Sequence, residues 1–197
     1  MKKASIFILI MTIVFAVACK GEKKENETTT DTEAEITEEQ TEITTSETKH
    51  ISVTLEAKSS SNVAGAIHFT QEGKIVTMIA TISGLSEGTH AIHLHEKADC
   101  SSDDGKSSGG HWNPTAQPHG KWGADEGFHK GDIGNFEADA EGNGSVTFST
   151  NQWCIGCGDE TKDILGKAII VHQGTDDFTS QPSGAAGSRV SCGGVIE

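Results

Sequence analysis

The chain has 197 residues with 15 Lys+Arg against 29 Asp+Glu, a formal charge of -14, and only 34% hydrophobic residues. That length suits one domain with appendages, and acidity this strong argues against nucleic acid or anionic lipid as a partner, because both need clustered positive charge. The 23 Gly against 3 Pro point to many tight turns and away from a helical bundle.

At the N-terminus, Lys2 and Lys3 precede an apolar run from Ile6 to Ala18 that only Thr12 interrupts. The pattern predicts a signal peptide over residues 1–18, since the run is shorter than the ~20 residues that span a bilayer. Ala16-Val17-Ala18-Cys19 resembles a bacterial lipobox. That implies a lipid on Cys19 as the contact with the membrane and, because Lys20 follows, an outer-membrane position in the cell envelope. A secreted protein cut nearby is the alternative. Glu22 to Thr48 holds nine Glu and nine Thr with three apolar side chains, Ala34, Ile36 and Ile43. Such a segment cannot offset the entropy of folding, so residues 19–49 are read as a solvated tether and residues 50–197 as the folded domain.

Within that domain Ile51, Val53, Leu55 and Ala57 alternate with polar residues, the period of a half-buried strand. Val63 to Phe69 repeats it. Ile75–Ile82, His90–His95, Ser145–Ser149 and Ile164–His172 are further β-rich runs, separated by turn signals such as Ser83-Gly84, Glu87-Gly88 and Glu141-Gly142-Asn143-Gly144. Short strands at turn-length spacing predict an all-β antiparallel sandwich or barrel. Two stretches fall outside the pattern, Glu96–Phe128 and Gln173–Ser188. A compact domain seldom carries loops that long unless they are organised or functional.

The histidines supply the organisation. His93 and His95 flank Leu94 on a predicted strand, so both rings leave the same face about 7 Å apart. His111, His119, His129 and Asp132 fall within 22 residues, a three-nitrogen, one-oxygen set suited to tetrahedral Zn²⁺. Solvated loop histidines are the ordinary alternative for any one of them, and a satisfied core histidine is the alternative for His172 at the end of its strand.

These residues also form motifs. Gly88-Thr-His-Ala-Ile-His-Leu-His95, His111-Trp-Asn-Pro114, His129-Lys-Gly-Asp-Ile-Gly-Asn135, Val171-His172 and Ala186-Gly-Ser-Arg-Val-Ser-Cys-Gly193 resemble, in order, those of the Cu/Zn superoxide dismutase family, in a bacterial lipoprotein-type member. The resemblance implies a Greek-key sandwich, or flattened eight-stranded antiparallel barrel, with two long functional loops. It implies that His93, His95, His111 and His172 bind copper while His111, His119, His129 and Asp132 bind zinc, with His111 shared. It further implies that Asp176 links His93 to His119, an outer partner of the kind that fixes ring orientation, and that His90 is packed and non-ligating. Arg189, the chain's only Arg, resembles the family's active-site arginine, a fixed cation for an anionic substrate. Lys97, Lys106, Lys121 and Lys130 are candidates for longer-range attraction.

The resemblance pairs Cys100 with Cys192, leaving Cys154 and Cys157. Cys154-Ile-Gly-Cys157 departs from the family pattern and reads as a small local disulfide, with copper capture or redox exchange as alternatives. The sequence therefore predicts superoxide dismutation with copper and zinc cofactors, the rival being a copper-transfer module on the same sandwich. One chain does not decide the oligomeric state, and a homodimer stays open.

Overall fold

The computed structural model describes residues 47–197. The proposed signal segment, Cys19 and the tether up to Ser46 lie outside the described residues. Eight strands run as β1 Lys49–Ala57, β2 Ala64–Glu72, β3 Ile75–Ser83, β4 Gly88–His95, β5 Gly134–Ala138, β6 Gly144–Thr150, β7 Ala168–His172 and β8 Arg189–Gly194, with one short 3₁₀ turn at Lys106–Ser108. They close into an antiparallel barrel ordered β1-β2-β3-β6-β5-β4-β7-β8.

Alternation decides which side chains enter the barrel. Ile51, Val53 and Leu55 of β1 and Val76, Met78, Ala80 and Ile82 of β3 point inward and are buried, while Ile75 and Ile79 on the opposite face of β3 are exposed. Each of these buried side chains larger than Ala80 contributes about 1.5–3 kcal/mol of transfer free energy.

β4 and β7 behave differently, for they are buried on both faces. Ile92, Leu94, Ile169 and Val171 join the barrel core, whereas His93, His95 and His172, of opposite parity, lie on the outer face and are buried as well. Their cover comes from the two long connections, 96–133 and 173–188. These two strands pair in register, His93 with Ile170 and His95 with Ala168.

Two of the eight strands lie outside the runs that alternation predicts, although the family resemblance implies eight. β5 and β8 contain Gly134, Asn135, Gly193 and Gly194, which weaken any β-propensity signal. The predicted run Ile164–His172 is also shorter in the fold. Its strand begins at Ala168, and Ile164 sits in a turn whose N–H donates to the Cys154 carbonyl. β1 begins at Lys49, the last residue assigned to the tether.

Candidate metal centre

Three chain segments carry the histidines, and Gly131 joins them. Leu94 N–H donates to the Gly131 carbonyl, Gly131 N–H to that of Trp112, and Trp112 N–H to that of Leu94, at 2.9, 2.9 and 2.8 Å. A Cβ at position 131 would stand 2.0 Å from the Leu94 oxygen, so only glycine permits this approach. The knot sets His93 and His95 of β4, His111, and the His129–Asp132 turn at fixed spacing. Cys100 and Cys192 are joined by a disulfide, tying the first long loop to β8. Closing 92 residues restricts the unfolded chain by ~4–5 kcal/mol on loop entropy alone. An irregularity between Val171 and His172 in the β7–β8 ladder pairs His172 with Arg189.

Two clusters of ligand atoms result, His93, His95, His111 and His172, and His111, His119, His129 and Asp132, each with its atoms within 4.8 Å of one another. Among the described residues, seven buried side-chain polar atoms lack a hydrogen-bond partner. Six are imidazole nitrogens of these clusters: His93 Nδ1, His95 Nε2, His111 Nε2, His119 Nδ1, His129 Nδ1 and His172 Nε2. His119 Nδ1 and His129 Nδ1 stand 3.0 and 3.2 Å from Asp132 oxygens but outside hydrogen-bonding geometry. Leaving a buried polar atom unpaired costs about 1–3 kcal/mol, so the six together call for something that binds them.

In five of these rings, His129 being the exception, the opposite nitrogen has a partner. His95 Nδ1 donates to the Gly109 carbonyl at 3.0 Å, and His172 Nδ1 lies 3.4 Å from that of Gly187. His93 Nε2 and His119 Nε2 donate to the two oxygens of Asp176 at 2.8 and 2.9 Å. Those bonds fix the ring nitrogen that faces the cluster, by a lone pair in the neutral rings and, in His119, by one that is freed when the ring loses its extra proton.

Around Asp132, His111 Nδ1, His119 Nδ1 and His129 Nδ1 stand 2.8, 3.0 and 3.2 Å from its oxygens. Ligands of a tetrahedral zinc at about 2.0–2.1 Å stand roughly 3.3 Å apart, close to these spacings. The donor sets thus fit the metals, four nitrogens for copper and three nitrogens with one carboxylate for zinc.

Electrostatics separates the halves. Burial pushes His95 and His172 well below the ordinary histidine value, assisted by neighbouring rings. It lowers His93 despite the Asp176 carboxylate, and His111 to about 4 despite Asp132. On the zinc side burial opposes the charged form of His119 too, yet Asp132 and Asp176 outweigh it and raise the ring to about 9. Burial likewise works against both carboxylates, but the imidazoles facing them hold each well below the usual carboxylate range.

Arg189 borders the cleft with His95, His111, His129 and His172. Its Nη1 donates to the Gly105 carbonyl at 2.9 Å and to Ser108 Oγ at 3.1 Å, and Ser108 Oγ in turn donates to the same carbonyl. Of the four candidate lysines only Lys106 lines this cleft, and it is paired with Asp104 at 2.9 Å. Lys130 is instead bonded to Gln152. His90 Nδ1 donates to the His172 carbonyl at 2.9 Å, a packing role. His50 and His68 sit on the sheet's outer face beside Thr70 and Ser52.

Three contributors escaped the sequence reading. Asn135 exchanges two bonds with the Asp176 backbone, each 2.9 Å. Gln181 does the same with His119, its Oε1 accepting from N–H and its Nε2 donating to the carbonyl, both at 2.9 Å. Ser108 is the third. Asn135 ended a recognised motif and so left a trace; Gln181 and Ser108 stand in featureless polar loops.

An antiparallel barrel whose outer face carries a four-nitrogen cluster and a three-nitrogen, one-oxygen cluster sharing one imidazole defines a dinuclear metalloprotein of the β-barrel class. The model of the copper/zinc superoxide dismutase family matches residues 63–196, and the chain belongs to that family, which uses copper and zinc. It is 35% identical over 141 residues to the extracellular Cu-Zn superoxide dismutase of Caenorhabditis elegans, covering 68% of this chain and 62% of that protein, so it spans less than two thirds of that relative's length. A solved double mutant of an SOD-like protein from Bacillus subtilis superposes with a TM-score of 0.65 at 30% identity, over 74% of this chain and 97% of that one.

Proposed function

We propose that the protein dismutates superoxide, converting two superoxide ions and two protons to dioxygen and hydrogen peroxide, with His93, His95, His111 and His172 holding copper and His111, His119, His129 and Asp132 holding zinc. The observation that carries this reading is His111, buried, with Nδ1 turned to Asp132 and Nε2 unpartnered toward the other three rings. Copper supplies the one-electron couple, and zinc, which has no redox chemistry of its own, supplies a fixed cation.

The chain supplies the remainder. Arg189 holds an anion at the cleft, because its Nη1 is committed to Gly105 and Ser108 while the rest of its donor fork stays available. The tether of Nη1 fixes the guanidinium where a small anion also meets His95 and His172. Proton delivery falls to His111, whose Nε2 faces the cleft while Nδ1 stays turned to the zinc set. Whenever copper would not occupy Nε2, a proton carried there reaches reduced dioxygen while Nδ1 keeps the ring against the zinc set. Asp176 keeps His93 and His119 in register, so that the two halves cannot drift apart.

We further read residues 1–18 as a signal peptide, Cys19 as the lipid-bearing residue and residues 19–49 as a tether, which places the domain, residues 50–197, outside the cytoplasm at the bacterial outer membrane. The relative that is named extracellular supports export. Radiolabelled palmitate incorporated into the full chain and lost in Cys19→Ala tests the anchor.

A copper-transfer module is the second reading. Arg189 disfavours it, since metal transfer has no use for an anion-holding guanidinium. Chain loaded with both metals should dismutate superoxide, and His172→Ala should lose at least about a hundredfold in rate while zinc content stays at one per chain. Full activity in that variant would overturn the site assignment.

A further inference from the structure

Cys154 and Cys157 form a disulfide that the dinuclear centre does not use. The loop around them is held by other contacts. Cys154 N–H donates to the Lys162 carbonyl and Ile164 N–H to the Cys154 carbonyl, at 2.9 and 3.0 Å. Ile155 N–H donates to Gln71 Oε1 and its carbonyl accepts from Lys49 Nζ, both at 2.7 Å. Gly156 and Gly158 N–H donate to the two oxygens of Asp163 at 2.9 and 2.8 Å. Ile155 is itself buried at 2% exposure. With that many bonds on both sides, the turn keeps its shape when the sulfur bridge opens.

We propose that, once reduced, Cys154 and Cys157 form a third metal site selective for Cu(I). Their sulfurs and an Asp163 oxygen lie within 4.8 Å of one another. Thiolates favour the soft monovalent ion. Zinc needs four ligands, and this loop offers two sulfurs and one carboxylate that three backbone N–H groups already occupy. Two sulfurs satisfy Cu(I), which accepts low coordination.

Opening the bridge requires a dithiol, such as a thiol-disulfide oxidoreductase. One donor thiolate attacks the exposed Cys157 sulfur and the Cys154 sulfur leaves. The donor's second thiol then resolves the mixed disulfide. Two electrons pass to this chain, the donor ends as a disulfide, and two thiols remain here. Cu(I) then binds as both thiol protons depart. The other disulfide is shielded, with Cys192 fully buried.

The test uses full-length chain loaded with copper and zinc, treated with limited dithiothreitol, desalted anaerobically and titrated with Cu(I) against a chromogenic Cu(I) chelator. The treated chain should retain one more Cu(I) than the untreated chain and gain a thiolate-to-copper absorption in the ultraviolet. Cys154→Ser/Cys157→Ser should show neither, and Cys157→Ser, altering only an exposed position, should also lose the extra ion. Cys19 is present in every chain and cancels. Dismutation should persist in the double variant, so the proposal stands or falls apart from the dismutase reading. Equal retention by treated and untreated chain would overturn it, as would an extra ion in the double variant. Preference of the reduced chain for zinc over Cu(I), or alkylation showing Cys100–Cys192 open before Cys154–Cys157, would overturn it equally.

Discussion

The half of the site proposed for copper and the half proposed for zinc share His111 but are built by different means. Three of the four copper-side rings ride on β4 and β7, whose inward neighbours Ile92, Leu94, Ile169 and Val171 are core residues. No carboxylate belongs to that set, and burial leaves its rings neutral. The zinc half comes wholly from a long loop, and its rings are drawn in by Asp132. A strand-borne site is arranged by hydrophobic packing before any metal arrives, while a loop-borne site needs charge to assemble it.

The contrast can be broken most severely at Asp132. Asp132→Ala removes the one carboxylate common to three imidazoles, and zinc affinity should fall by more than about a hundredfold while copper affinity changes far less; equal losses at both sites, by competition titration, would erase the distinction. Asp176 spans both halves, so Asp176→Asn should weaken both metals together, by roughly 10–100-fold, the usual cost of an outer partner. A smaller effect is expected from Ser108→Ala, which removes one of two holds on Arg189. A neutral hydrogen bond contributes about 0.5–1.5 kcal/mol, so kcat/KM for superoxide should drop no more than about tenfold, with metal content unchanged.

The subtlest test counts protons. His119, raised to about 9, is charged in the metal-free protein at pH 7 and must lose its proton when Nδ1 binds zinc. Zinc binding at pH 7 should therefore release about one proton, and the release should disappear as pH rises above about 9. His93, His95 and His172, lowered by burial, are already neutral at pH 7 and should release none, so a proton released on copper binding comes from His111, the ring shared with zinc. Calorimetry in buffers of different ionisation enthalpy measures both.

Much of the site was legible because its ligands sit in short local patterns. His93-Leu-His95 needs only strand parity to place two rings on one face, and His129-Lys-Gly-Asp132 closes one turn. The resemblance to a family added the partition between metals, which spacing alone left open. Gln181 and Ser108 were invisible for a physical reason. Each acts on a residue 62 or 81 positions away, through a single polar side chain with no periodic or compositional signature.

By itself the sequence determined the all-β class, through alternation and turn chemistry, and the inventory of donors, because strand parity and residue type are local properties. Only the tertiary structure decided that β4 and β7 would be covered on both faces, that Gly131 would draw three segments within hydrogen-bond distance, and that six imidazole nitrogens would converge without partners. Those outcomes depend on which distant segments share a wall of the closed barrel, a matter of long-range packing that no short window of residues encodes.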